Sequence, residues 1–184
     1  MFRSFFNVLA GSTSVMSSEI APTVRAIIQQ CLHARLQVKP ATEDSPAEFV
    51  EIDGGIVVYL CVLKGATSEV VAKLVKSVLG VRLSSQSEVS KLVSVLDLPG
   101  SVLIVPQATL GGKMKGKQMQ YHSNIDKTEG KELYTLFAEK CIEALQESEK
   151  CQESGCEVKF GTYGNRQVLS IDTNGPYSHL IEMP

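Results

Sequence analysis

Apolar residues along this chain recur with two periods, and the switches between them lay out its elements. From Thr23 to Val38, residues Ile28, Leu32, Ala34, Leu36 and Val38 fall on every second position, with Gln30 as a polar interruption. That spacing predicts a strand or a bent hairpin, although Ala26 to Gln30 also allows a helix start. The two-proline stretch "KPATEDSPAEF" predicts a loop, and "EIDGGIVVYLCVLKG" a turn followed by a buried strand over 56–63. In "ATSEVVAKLVKSVLGVRL" the period becomes helical. Thr67 or Ser68 serves as cap, Val70, Val71, Leu74, Val75, Val78 and Leu79 form one stripe, and Gly80 ends it.

A polar loop, "SSQSEVSK", leads to a strand "LVSVLDL", a Pro-Gly turn and a strand "SVLIVPQATL". Leu133, Leu136, Phe137, Cys141, Ala144 and Leu145 share one face of a second helix over about 129–147. "SEKCQESG" reads as a linker, and "CEVKFGTYG", "RQVLSID" and "PYSHLIE" as three short strands. Two helices are too few for a doubly wound parallel sheet. The expected fold is α+β, with mostly antiparallel sheets flanked by two main helices. Neither an internal repeat nor a domain boundary interrupts residues 22–184, which read as one domain behind an extension over 1–21.

Composition narrows the setting. The chain has 184 residues, 43% hydrophobic and 21% charged, with a net charge of −2. This is globular, and its global charge does not point to nucleic acid. No apolar run reaches the roughly 18 residues of a membrane span. The five cysteines are odd in number and contain no Cys-x-x-Cys, which argues against a disulfide framework and a zinc site. Cys61 and Cys141 sit among apolar neighbours and read as small core residues. The acid-free start "MFRSFFNVLAGSTSVM" has the flavour of a transit peptide, but it carries a single Arg, and Met16 could be a second start. The expected location is cytoplasmic.

Candidate chemistry is sparse. His33, His122 and His179 are the only histidines, and Gly-x-Ser-x-Gly is absent. Gly111, Gly116 and Lys117 match the phosphate-loop spacing, but residue 118 is Gln where Ser or Thr would hold Mg²⁺, and no apolar helix follows. Lys113, Lys115 and Lys117 stand in an acid-free stretch from Leu110 to Ile125, whereas Asp126 to Lys150 holds seven acids and four lysines. The basic stretch is either a solvated loop or, with Tyr121 and His122, a grip on a nucleic-acid backbone. In "VPQATLGG" and "TNGPYSH" small or polar residues abut apolar strands. Both are turn compositions, and both can aim backbone N–H groups at a substrate oxygen.

Together these two stretches resemble the D-aminoacyl-tRNA deacylase family, which pairs a Ser-Gln-x-Thr-Leu motif with an Asn-x-Pro-x-Thr motif. Pro106-Gln107-Ala108-Thr109-Leu110 matches the first with Pro for Ser, and Asn174-Gly175-Pro176-Tyr177-Ser178 the second with Ser for Thr. The resemblance spans about residues 26–182, and "PQATLGG", "GKQMQYHSN" and "TNGPYSH" place it nearest the animal-type branch. It implies a homodimer whose active sites lie at the subunit interface, the Gly-Pro of one subunit entering the partner's pocket. It implies a proofreading hydrolase that cuts the ester between amino acid and tRNA, with no cofactor and no metal. Backbone N–H groups of Gln107, Ala108 and Thr109 would bind the oxyanion. Asn174, Gly175, Pro176 and Ser178 would form the chirality gate, and Lys113, Lys115 and Lys117 would meet acceptor-end phosphates.

In the general family a cis Gly-Pro bond turns two carbonyls against L side chains, so that D-amino acids and glycine fit. The animal-type branch has a trans bond and room for L-alanine on threonine tRNA. Departures from the general pattern include the pair Gln29-Gln30 where Gln-Arg is usual, the small Ala108, and Arg166. The expectation is a trans Gly175–Pro176 bond, released by Gln30, Ala108 and Arg166 together. The intrinsic difference between X-Pro isomers, about 0.5–1 kcal/mol, is small enough for a hydrogen bond or two to decide. The competing reading is a non-catalytic tRNA- or RNA-binding module of the same fold.

Overall fold

The computed structural model describes residues 21–85, 91–175 and 177–184. The expected N-terminal extension lies, up to residue 20, outside the described residues. Ten strands form the framework: β1 Val24–Cys31, β2 His33–Lys39, β3 Glu48–Ile52, β4 Gly55–Val62, β5 Ser101–Pro106, β6 Lys113–Lys115, β7 Gln118–Gln120, β8 Val158–Phe160, β9 Leu169–Asp172 and β10 Ser178–Met183. Helices are α1 Ser68–Gly80, α2 Lys127–Glu147 and the short α3 Glu149–Glu153, with a 3-10 turn at Ala108–Gly111.

A five-stranded sheet runs β10-β1-β4-β5-β8, a three-stranded sheet runs β3-β2-β9, and β6-β7 form a hairpin. β4, β5 and β8 are mutually parallel, and the other pairings are antiparallel. The sheets are therefore mixed, within the expected α+β class. Parallel neighbours need long crossovers, and α1 and α2 lie in the β4–β5 and β5–β8 connections.

Strand β4 explains the layering. Ile56, Val58, Leu60 and Val62 face one core with α1 and α2, where Val71, Leu74, Phe137 and Cys141 are buried. Val57 joins Ala34, Leu36, Ile52, Leu103 and Val105 in a second core beneath the three-stranded sheet. Covered on both faces, the strand reads as one apolar run. Thr67 caps α1 by accepting from the Val70 N–H at 3.3 Å, and Asp126 caps α2 by accepting from Thr128 N–H at 2.8 Å. The thiols of Cys61 and Cys141 are buried as expected.

Four local expectations change. The segment 24–39 is two strands rather than a hairpin: it bends at Leu32 and passes from one sheet to the other. The strand expected at 92–98 is a bridge at Val93 followed by a turn. There Ser94 Oγ donates to the Asp97 carboxylate at 2.7 Å and accepts from the Asp97 N–H at 3.2 Å, so local polar bonds outcompete a ladder. Glu48–Ile52, split between a loop and a turn in the sequence reading, is β3, and the linker after α2 contains α3. The lysine-rich loop is a hairpin whose two-residue turn places Gly116 at φ 62°, a backbone that favours glycine.

Candidate active site

The parallel strands β4, β5 and β8 all end at the same side of the sheet, and open α/β sheets commonly offer ligands that carboxyl edge. A cleft of about 690 Å³ lies there, lined by Leu60 to Val62 of β4, Val105 to Thr109 after β5, and Tyr163 to Gln167 after β8, with Asn124, Ile125 and Lys127 at the start of α2. The first motif and Arg166 thus share one cleft.

Its floor is the 3-10 turn. The Gln107 N–H donates to the Leu60 carbonyl at 2.8 Å, continuing the strand, so it is removed from the three expected oxyanion donors. Ala108 and Thr109 are the first residues of the turn, and neither N–H has an acceptor among the described residues. The turn is held from behind. Asn124 Nδ2 donates to the Ala108 carbonyl at 2.9 Å, and the Cys61 thiol lies 3.7 Å from the same oxygen. Arg25 Nη1 donates to the Leu110 carbonyl at 2.7 Å. Gln107 Nε2 donates to Thr109 Oγ1 at 2.6 Å, occupying that hydroxyl as an acceptor.

Titratable chemistry in the cleft is muted. Burial pushes the Cys61 thiol up, against a partial opposing effect of a backbone hydrogen bond and the Arg25 charge. A raised thiol is a poor nucleophile. Burial also raises Tyr163. Among the described residues no His, Asp or Glu lines the cleft, and its charged side chains are Lys127 and Arg166. Such a site stabilises a negative charge rather than removing a proton.

The second motif lies elsewhere in the subunit. Gln29, at 7% exposure, anchors it: Nε2 donates to Thr173 Oγ1 at 2.7 Å and to the Gly175 carbonyl at 3.0 Å, and Oε1 accepts from Ser178 Oγ at 2.7 Å. Thr173 Oγ1 also donates to the Gly175 carbonyl at 2.6 Å. Pro176 and the expected trans geometry of its bond lie outside the described residues. Asn174 and Tyr177 border a separate cavity of about 790 Å³ with Gln30, Ser84, Gly55 and Gly100. Gln30 Nε2 donates to the Leu83 carbonyl at 2.6 Å and to Ser84 Oγ at 3.2 Å, so its amide is spent on the loop after α1. The two cavities share no lining residue.

Asn124 and Arg25 carry the geometry without having been singled out in the sequence. Gln29 entered only as half of the Gln29-Gln30 pair, with no role assigned to it. Lys113, Lys115 and Lys117 are exposed on the hairpin that follows the turn.

A family model described as D-Tyr-tRNA(Tyr) deacylase matches residues 27–182. A protein from Gallus gallus named D-aminoacyl-tRNA deacylase 2 is 58% identical over 158 residues, covering 86% of this chain and 94% of its own. The protein of the same name from Homo sapiens is 55% identical over 161 residues, covering 88% of this chain and 95% of its own. A solved structure described as a probable eukaryotic D-amino acid tRNA deacylase superposes with a TM-score of 0.73 at 25% identity, covering 87% of this chain and 99% of that one.

Proposed function

The chain belongs to the D-Tyr-tRNA(Tyr) deacylase family, and we propose that it is a proofreading hydrolase that cleaves the ester of D-aminoacyl-tRNA. Glycyl-tRNA and L-alanine on threonine tRNA are part of the proposed substrate range. The observation that carries the reading is the pair of N–H groups on Ala108 and Thr109 without an acceptor among the described residues, presented in a cleft lined by no described His, Asp or Glu.

Water attacks the carbonyl carbon of the aminoacyl ester, positioned by the neighbouring ribose hydroxyl. The developing oxyanion accepts from the Ala108 and Thr109 N–H groups, each worth on the order of 3 kcal/mol. The acyl C–O bond then breaks, the ribose oxygen takes a proton, and free amino acid and tRNA leave. Arg166 and Lys127 at the cleft favour the anionic substrate. Lys113, Lys115 and Lys117 contact phosphates at the acceptor end.

The gate is proposed to act across a homodimer. In one subunit Gly175 is tied to Gln29, opposite Val57, while the cleft opens beyond Leu60, and the cavities at the two ends are separate. A gate that turns away from its own cleft suits a partner's. Among the described residues no helix is long and apolar enough to cross a membrane. The five thiols carry no disulfide, which agrees with the proposed reducing, cytoplasmic setting.

The test is to incubate the protein with D-tyrosyl-, glycyl- and L-alanyl-tRNA and follow release of free amino acid. Release well above the spontaneous rate from D-tyrosyl-tRNA is expected. Binding of charged tRNA without release would favour the non-catalytic module.

A further inference from the structure

The β6–β7 hairpin has two unlike faces. Its register pairs Lys113 with Gln120, Met114 with Met119 and Lys115 with Gln118. Side chains alternate across a strand, so Lys113, Lys115, Gln118 and Gln120 share one face and the two methionines hold the other. Met114 is 77% exposed, more than any other large apolar side chain among the described residues, and Met119 and Tyr121 are also exposed. Among the described residues none covers Met114, and Met119 and Tyr121 are covered only in part.

The apolar face starts at the catalytic turn. A side chain at Gly112 would meet Met119 Cε at 2.7 Å, the Tyr121 ring at 2.8 Å and the Thr109 carbonyl at 3.1 Å. Met119 and Tyr121 therefore close over Gly112, three residues from Thr109. The hairpin's own charge is all of one sign: Lys113, Lys115 and Lys117, with no acid between Leu110 and Ile125 in the sequence.

An apolar face backed by a cationic one on the same narrow two-stranded ribbon, next to a cleft for an RNA ester, fits the chemistry of an unpaired RNA end that crosses the ribbon's edge. Bases present π faces to thioethers and aromatic rings, and the backbone presents phosphates to lysines. We propose that this hairpin is a platform for the single-stranded 3′ end of the substrate RNA, with unpaired bases on Met114, Met119 and Tyr121 and their phosphates on Lys113, Lys115 and Lys117. The inference rests on the deacylase reading, because it is the charged terminus that must reach Ala108 and Thr109. Three lysines on one short hairpin disfavour a cationic partner. A second copy of this chain would have to bring its acidic α2 face to the same place.

Binding of a fluorescent six-nucleotide single-stranded RNA ending in CCA to the full chain, measured by anisotropy across a salt series, tests this without any hydrolysis. The double substitution Met114→Ser, Met119→Ser is expected to weaken binding about tenfold at every salt concentration, leaving the slope of log K against log salt unchanged. Lys113→Gln, Lys115→Gln, Lys117→Gln is expected to flatten that slope by about two, three contacts at roughly 0.7 each. All five substituted positions are exposed, so melting temperatures should match the parent within about a degree or two. Unchanged RNA affinity in the methionine variant overturns the platform, even if the parent deacylates charged tRNA. A change of oligomeric state in that variant overturns it in favour of a subunit contact. Failure of the parent to release amino acid from any charged tRNA, with RNA binding intact, would count against the deacylase reading instead.

Discussion

Arg25 Nη1 donates to the carbonyl of Leu110 at 2.7 Å while its Nε donates to Glu182 at 2.5 Å. One guanidinium on β1 thus joins the turn that carries the free N–H groups to β10, the strand that follows the gate. A two-contact fork suits Arg and not Lys.

Removing this fork should disorder the turn more than the fold. A hydrogen bond from a charged donor is worth about 2 kcal/mol, so Arg25→Ala is expected to lower kcat/KM for D-tyrosyl-tRNA by about thirtyfold. Arg25→Lys should recover only part of it. Glu182→Gln, which keeps an acceptor, should cost less than either. Equal losses for all three, in proportion to lost melting temperature, would reduce Arg25 to a general stabiliser.

Gln29→Ala probes the gate. The substitution strips a buried amide from Thr173, Gly175 and Ser178 together. Thr173 and Ser178 are exposed, so water can replace the lost amide and the cost in stability should stay at about 1 kcal/mol. The larger expected effect is on discrimination: the ratio of D-tyrosyl- to L-tyrosyl-tRNA hydrolysis should fall at least tenfold, because the Gly175 carbonyl loses its anchor. An unchanged ratio would mean that Thr173, which also donates to that carbonyl, suffices.

What could be seen in advance follows from how local each determinant is. The α1 stripe, its Thr67 cap and the β4 run are local patterns, and they matched closely. The turn at 94–97 went unseen because its apolar neighbours mimic a strand while one Ser–Asp pair decides the backbone. β3 was hidden because its residues pair only with β2, and its sole fully buried side chain is Ile52. At the site, the motif residues named the cleft and the gate. Their separation in one subunit, and the supports Arg25 and Asn124, depend on contacts across 85 and 16 residues. No periodicity encodes those.

The proposed oxyanion role makes a specific statement about Thr109. Its hydroxyl accepts from Gln107 Nε2, and on the proposed mechanism its main-chain N–H is the group that meets the substrate. Thr109→Ala keeps the N–H and should retain kcat within about tenfold. Loss of 100-fold or more, the scale of a missing oxyanion donor, would assign the hydroxyl a direct role.

Alkaline pH should weaken the fold through its buried thiols. Burial raises Cys31 from 9.0 to about 11 and Cys141 from 9.0 to about 12. Above pH 9 the unfolded chain sheds these protons and the folded one keeps them. The stabilisation is therefore complete below about pH 9 and is lost as pH rises toward 11–12, at up to about 1.4 kcal/mol per unit for each thiol. Urea midpoints measured from pH 8 to 10.5 should fall, and Cys141→Ala should fall less steeply. At pH 7.5 both thiols should resist alkylation until the protein unfolds.

Two inactive proteins should make an active one if the gate serves the partner's cleft. Ala108→Phe fills the cleft and leaves the gate intact, since the two cavities share no residue. Gly175→Phe disturbs the gate, because even a Cβ there would sit 2.7 Å from the Tyr177 ring, and it leaves the cleft intact. Each homodimer lacks a working site. A mixed dimer with gates exchanged has one site built from a native cleft and a native gate, so co-expression should restore deacylation of D-tyrosyl-tRNA. If each subunit instead closed its own cleft, no combination would hold both native parts, and the mixture would stay inactive. Co-purification through a tag on one partner separates that outcome from a failure to mix.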